Sequence, residues 1–344
     1  MNPYALSMII SSLALGTIIT LSSSHWILAW VGLEINTLAI IPLMTKNPHP
    51  RSIEAATKYF LTQAAASALI MFSCTLNAWL MGEWTINNLM TPLSTVFLVI
   101  AISTKLGLAP FHFWMPDVLQ GLTLKTGWIL ATWQKLAPMT ILLQLSQSIN
   151  LTMVLILGFL SILIGGWGGI NQNQIRKILA FSSIAHLGWM ITILKISPLL
   201  STLNFSLYII MSSTLFYMFS IINSTNISQL ATTWTKVPTL TALSLLSLLS
   251  LSGLPPLTGF MPKWLIAQEM IKQDLILISF FMLMLTLLSL FFYLRLTYTI
   301  SLTMAPNSSL STSFWFMKKK NNLSLLTLLT LLLLPLTPTL LCLI

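Results

Sequence analysis

The chain has 344 residues, of which 56% are hydrophobic and 6% charged, and its formal net charge is +10. A soluble domain carries about 25% charged residues, so this is a polytopic membrane protein with no stretch left for a sizeable soluble domain. The basic residues are scattered over short loops rather than clustered with aromatics, which points to topology and not to nucleic acid. Cys74 and Cys342 both sit in apolar runs and supply neither a disulfide framework nor the thiolates of an iron–sulfur cluster.

Apolar runs of about bilayer length, roughly 20 residues, predict eleven spans. They cover residues 3–22, 25–45, 53–81, 91–119, 124–145, 149–171, 176–195, 199–223, 238–271, 275–299 and 323–343. The opening MNPYALSMII has no positive n-region, runs into a stretch too long for a signal peptide and lacks an Arg-rich presequence, so the first span is expected to be retained as a helix. The second span, WVGLEINTLAIIPL, holds Glu34 near its middle. The fourth and ninth spans are too long for one straight helix. Residues 107–116 read GLAPFHFWMP in the fourth and residues 253–262 read GLPPLTGFMP in the ninth, identical at five of ten positions. Glycine and proline together break a helix, so each over-length span is expected to be two half-helices. The fifth span, with Lys135 in ATWQKLAPMT, is expected to loosen one turn before Pro138.

Loop charges set the orientation. Lys46, Arg51, Lys125, Arg176, Lys177, Lys236 and the run Lys318, Lys319, Lys320 fall on the side of the N-terminus, and only Lys195 and Lys272 on the other. The positive-inside rule places the N-terminus in the cytoplasm or its organellar equivalent, the matrix. Spans four and nine are an odd number apart, so the two motifs enter the membrane from opposite faces. The expected fold is all-α, two inverted five-helix repeats over 1–145 and 149–299, followed by a basic loop and a C-terminal helix over 300–344. Paired, interrupted spans in corresponding positions mark a transporter's ion pathway.

Four ionisable residues lie inside that frame. Glu34 has no charge for about nine residues on either side and cannot snorkel; an intramembrane carboxylate costs about 2.5–3.5 kcal/mol unless neutralised or paired. Lys105, in STKLGLAPFHFW, stands two residues before the first break, where carbonyls lose their helical partners. Lys135 sits at the centre of its span. Lys263, in GLPPLTGFMPKW, opens the second half of the ninth span, and its counterpart after the first motif is Asp117. The alternative for Glu34 is a structural ion pair, and for Lys105 and Lys263 a long stem reaching an interface. His112 and His186 are candidate relay groups, as is Asp117. No nucleotide-binding glycine pattern or nucleophile elbow is present, and His25 and His49 make no convincing haem pair.

WVGLEINTLAIIPL, STKLGLAPFHFWMPD, TWQKLAP, RKILAFSSIAHLGW and GLPPLTGFMPKW, in order over essentially the whole chain, resemble the antiporter-like membrane-arm family of respiratory complex I, NADH:ubiquinone oxidoreductase. The resemblance implies two inverted five-helix repeats, each with one discontinuous helix, in a form lacking three N-terminal helices of the bacterial members. It places the proton path on Glu34 and Lys105 as a coupling pair, Lys135 as central carrier and Lys263 as carrier toward the exit. It implies no electron carrier and no catalytic or metal-ligating residue on this chain. FMN, iron–sulfur clusters and ubiquinone would belong to partner subunits, and adjacent antiporter-like subunits and bilayer lipid, cardiolipin among them, would be its neighbours. A stand-alone cation/proton antiporter and a purely structural scaffold remain open alternatives at this stage.

Overall fold

A computed structural model describes residues 2–86, 90–235, 237–301 and 324–332. The helices in chain order are α1 (Pro3–Ser22), α2 (Trp26–Met44), α3 (Pro50–Met81), α4 (Pro92–Leu106), α5 (Trp114–Gly121), α6 (Leu124–Ala131), α7 (Trp133–Gln144), α8 (Leu151–Ile170), α9 (Ile175–Ile193), α10 (Pro198–Ile222), α11 (Ile227–Ala231), α12 (Pro238–Ser252), α13 (Phe260–Lys272), α14 (Ile276–Ser301) and α15 (Ser324–Leu332). A 3-10 turn, Thr232–Thr235, follows α11. Among the described residues, six helices are long and apolar enough to cross a membrane. The first ten predicted spans each coincide with a helix or a pair of helices. The expectations for Lys236, for Lys318 to Lys320 and for the end of the eleventh span fall outside the described residues.

Local sequence explains where these helices begin and end. Five of them, α1, α3, α4, α10 and α12, have proline at the start, where the missing N–H costs nothing and φ is already helical. His25 and His49 cap α2 and α3 in the same way, each Nδ1 accepting the backbone N–H two residues on, from Ile27 at 3.3 Å and Arg51 at 3.2 Å. Serine and threonine inside the spans bond back to the carbonyl three residues earlier, as Ser103 to Ile100 and Ser250 to Ser247, so their hydroxyls remain satisfied away from water.

The chain forms two compact units, Met1–Ser161 and Ile162–Ile344. In the first, α1 and α2 come close at Gly16 and Gly32, where a Cβ on Gly32 would lie 2.9 Å from the Gly16 carbonyl oxygen. Small residues are what allow such backbone contact between membrane helices. The loop before α2 and the loop after α3 are joined by a single antiparallel bridge, His25 to Thr85, with Trp26 N–H donating to Trp84 O at 3.1 Å and Ile86 N–H to Ser24 O at 3.0 Å. In the second unit the loop before α9 and the loop after α10 carry the matching bridge, Gln174 to Asn226, with Ile175 N–H donating to Thr225 O at 3.1 Å and Ile227 N–H to Asn173 O at 3.2 Å. Arg295 on α14 closes the end of α8, donating to Ile170 O at 2.8 Å and to Asn173 Oδ1 at 2.9 Å.

Both over-length spans are broken as expected. Both α4 and α12 have 15 residues, begin with proline and end at a glycine in the left-handed region, Gly107 at φ 75° and ψ 40°, Gly253 at φ 83° and ψ 40°. The pairs Pro92 and Pro238, Gly107 and Gly253, and Trp114 and Phe260 stand at one constant spacing in the chain. A third discontinuity lies at Thr132 (φ −115°, ψ −67°), between α6 and α7.

Candidate functional site: two broken helices and a buried polar cavity

Three interruptions decide where the buried polar groups of each unit sit. At the first, the chain leaves α4 at Gly107, whose N–H is held by the carbonyls of Ser103 and Thr104. The indole of Trp114 reaches back and donates to Thr104 O at 3.0 Å. Lys105 occupies the last turn of α4 and is buried, and its Nζ has no hydrogen-bond partner. His112, inside the break, is buried with its ring 4.3 Å from that of Phe113.

The Thr132 discontinuity starts a new helix three residues before Lys135, whose N–H is bonded to Thr132 O at 3.2 Å. The neighbouring Gln134 donates from Nε2 to the backbone oxygen of Asn36 on α2 at 3.1 Å, which ties the start of α7 to the middle of α2. Lys135 is thereby buried next to the first break. A small cavity, with about 20 Å³ open to the centre of a water molecule, is lined by Lys105 and Lys135 together with Asn36, Tyr59, Gln63 and Gln134. That is room for about one water.

Glu34 is partly buried on α2, between the cavity-lining Leu33 and Asn36, and does not itself line this cavity. Its carboxylate accepts the hydroxyl of Thr37 at 3.2 Å, and no ion pair joins it to Lys105. Asp117 lies outside the cavity, nearly half exposed. It pairs with Lys58 at 3.0 Å, and Lys58 also meets Glu54 at 2.8 Å. Arg51 and Gln120 complete this charged surface pocket of about 170 Å³.

In the second unit Lys263 stands in the first turn of α13 and donates to Ser252 O at 2.8 Å, the carbonyl that α12 leaves at its end. Its stem lies over Gly253, where an added Cβ would be 2.9 Å from Nζ and 3.1 Å from Cδ. Within the same break Thr258 donates its hydroxyl to Thr330 O of α15 at 2.6 Å. His186 is buried on α9 with its ring 5.7 Å from that of Tyr208.

Of the residues singled out from the sequence, Lys105 and Lys135 meet on one cavity, Glu34 lies beside it and Asp117 faces outward, while Lys263 and His186 belong to the second unit. Asn36, Gln63, Gln134, Trp114 and Thr258 escaped attention. The signal that could have found the amides is their rarity: neutral carboxamides inside apolar spans, such as Asn36 two residues from Glu34. Among the described residues no group of three or more His, Cys, Asp or Glu side chains is placed to hold a metal ion.

The family described as "NADH:quinone oxidoreductase/Mrp antiporter, TM" matches residues 23–289, and "NADH dehydrogenase subunit 2 C-terminus" matches residues 290–341. NADH-ubiquinone oxidoreductase chain 2 of Salmo salar is 58% identical over 347 residues, covering 100% of this chain and 99% of that one. The chain 2 of Squalus acanthias is 59% identical over 346 residues, again over 100% and 99%. A chain of respiratory complex I from Thermus thermophilus superposes with a TM-score of 0.87 at 27% identity, over 99% of this chain and 80% of that one. A chain of the Mrp complex from a Dietzia species shares the fold with a TM-score of 0.81 at 17% identity, over 87% and 61%. By length, by sequence and by fold, the chain belongs to the NADH:quinone oxidoreductase/Mrp antiporter transmembrane family, among its NADH-ubiquinone oxidoreductase chain 2 members.

Proposed function

We propose that this chain is the proton-translocating, antiporter-like membrane subunit of NADH:ubiquinone oxidoreductase, in which redox energy released in partner subunits drives protons across the membrane. The observation that carries the reading is the convergence of Lys105 and Lys135, both buried, on one cavity between a broken helix and a second helix interruption. Buried amines at helix breaks can exchange protons in place, because the loosened backbone and a bound water offer partners that hydrocarbon does not.

On this reading Glu34 and Lys105 respond to charge arriving from a neighbouring subunit, Lys135 carries the proton, and Lys263 carries it onward. A unit charge brought to about 4 Å at an effective dielectric of about 20 shifts the energy of a lysine's charged form by roughly 4 kcal/mol, enough to move a proton from one site to the next. His112 and His186 are candidate relays. The fold reading that accompanies it is eleven membrane helices in two inverted five-helix repeats, 1–145 and 149–299, with a C-terminal segment 300–344. The equal spacing of the two breaks and the matching β-bridges support that layout.

The membrane on this reading is the mitochondrial inner membrane, and the excess of Lys and Arg in alternate loops supports an orientation with the N-terminus on the matrix side and the C-terminus facing the intermembrane space. The partners are the adjacent antiporter-like membrane-arm subunits and anionic lipid such as cardiolipin. FMN, iron–sulfur clusters and ubiquinone are assigned to other subunits.

The test is Lys135→Met in the assembled complex in vesicles, with protons translocated counted per electron pair. The expected result is a loss of pumped protons, with electron transfer to quinone slowed. Unchanged pumping would remove Lys135 from the path. Full pumping after neutralising Glu34, Lys105, Lys135 and Lys263 together would leave a structural scaffold as the better account.

A further inference from the structure

We propose that the carboxamides of Asn36 and Gln63 are positioning groups that seat one water molecule between Lys105 and Lys135, and that proton transfer between the two lysines runs through it. The proposal rests on the reading of Lys135 as a proton carrier. Asn36, on α2, is 2% exposed, Gln63, on α3, 4%, and Lys105, at the end of α4, 6%. Asn36 Nδ2 and Oδ1, Gln63 Nε2 and Lys105 Nζ are all buried without a hydrogen-bond partner, and all three side chains line the one cavity that also reaches Lys135.

Buried polar groups are almost always satisfied by protein or by ordered water, and each orphan costs on the order of 1–3 kcal/mol. The cavity has about 20 Å³ open to a water centre, and one water with two to four polar partners fits such a space. The orphans match a water's valence. It accepts from Lys105 Nζ and from a carboxamide N–H of Asn36 or Gln63, while one of its own hydrogens faces Lys135. The Asn36 carboxamide fits against α1 because residue 16 is glycine: an added Cβ there would lie 2.6 Å from Oδ1. In the transfer, the water takes a proton from the ammonium of one lysine as it releases another to the neutral amine of its partner. One charge moves and the water is unchanged.

The experiment compares Asn36→Leu, Asn36→Ser, Gln63→Leu and Lys135→Met in the complex reconstituted in vesicles, with NADH oxidation by an artificial acceptor as the control for assembly. Asn36→Leu and Gln63→Leu are expected to slow proton-coupled turnover by about 10- to 100-fold, whereas Asn36→Ser, which keeps a hydroxyl for the water, retains pumping. Pumping unchanged in Asn36→Leu, or Asn36→Ser as impaired as Asn36→Leu, overturns the inference. If Lys135→Met pumps normally, the carrier reading has failed instead. Should the leucine variants not assemble, cryo-EM of the unsubstituted complex decides: density for a water oxygen about 3 Å from both Lys105 Nζ and the Asn36 carboxamide supports it. An empty cavity in a map that resolves other buried waters overturns it.

Discussion

At the first break the carbonyl of Thr104 is met by the indole of Trp114, leaving Lys105 free to face the cavity it shares with Lys135. At the second, the residue in the place of Trp114 is Phe260, whose ring has no donor, and Lys263 itself closes the helix end by bonding Ser252 O. The backbone turn is the same at Gly107 and Gly253; the chemistry that completes it is not. A lysine relieved of capping duty is available for proton transfer without structural cost, whereas a lysine that also caps must leave a carbonyl uncovered when it gives up its position.

The two lysines therefore separate function from stability, and replacing each with methionine is the largest expected effect. Lys105→Met should sharply reduce protons pumped per electron pair while leaving thermal inactivation of the complex nearly unchanged, since Nζ makes no hydrogen bond to another protein group. Lys263→Met should reduce pumping and thermal tolerance together, because an uncovered Ser252 carbonyl costs about 1–3 kcal/mol. Equal thermal losses in the two variants would break the contrast.

Alanine at the two left-handed glycines tests the same difference less severely. Both variants bear the strain of a side chain in that region, about 1–2 kcal/mol. Gly253→Ala also places its methyl 2.9 Å from Lys263 Nζ, whereas Gly107→Ala meets the flexible thioether of Met115 at 3.2 Å. Pumping should thus fall further in Gly253→Ala, read as proton translocation at matched levels of assembly.

Trp114→Phe converts the first break toward the second by removing its aromatic donor. The expected loss is about 1 kcal/mol in thermal tolerance, with pumping retained. Asp117→Asn stands at the small end: the pair with Lys58 is a surface pair worth about 0–1 kcal/mol, and neither pumping nor stability should change measurably.

Much of the frame was legible because membrane helices must satisfy their own backbone, so span length, proline at helix starts and glycine at helix ends carry direct meaning. The two motifs announced two breaks for that reason. The Thr132 interruption was only hinted at by Pro138, since a proline loosens the preceding turn without saying where the chain parts. A one-pair β-bridge such as His25 to Thr85 leaves no alternating pattern to read. Glu34 and the lysines stood out by the cost of burying charge. Asn36 and Gln63 did not, for a neutral amide is cheap enough to pass as an ordinary polar residue until its neighbours across three helices are known. The pairing of Asp117 with Lys58, 59 residues away, lay beyond any local pattern.

The β-bridges have a mechanical meaning. Each ties the start of one helix to the end of the next, while a short connection joins the same two helices, α2 to α3 and α9 to α10, at their other ends. A hairpin fastened at both ends cannot ratchet by a turn without breaking a fastening. It behaves as a stator. Rearrangement during turnover is then left to the interrupted helices and their side chains, so that in the first unit a proton shifts by ångströms against a frame that holds still.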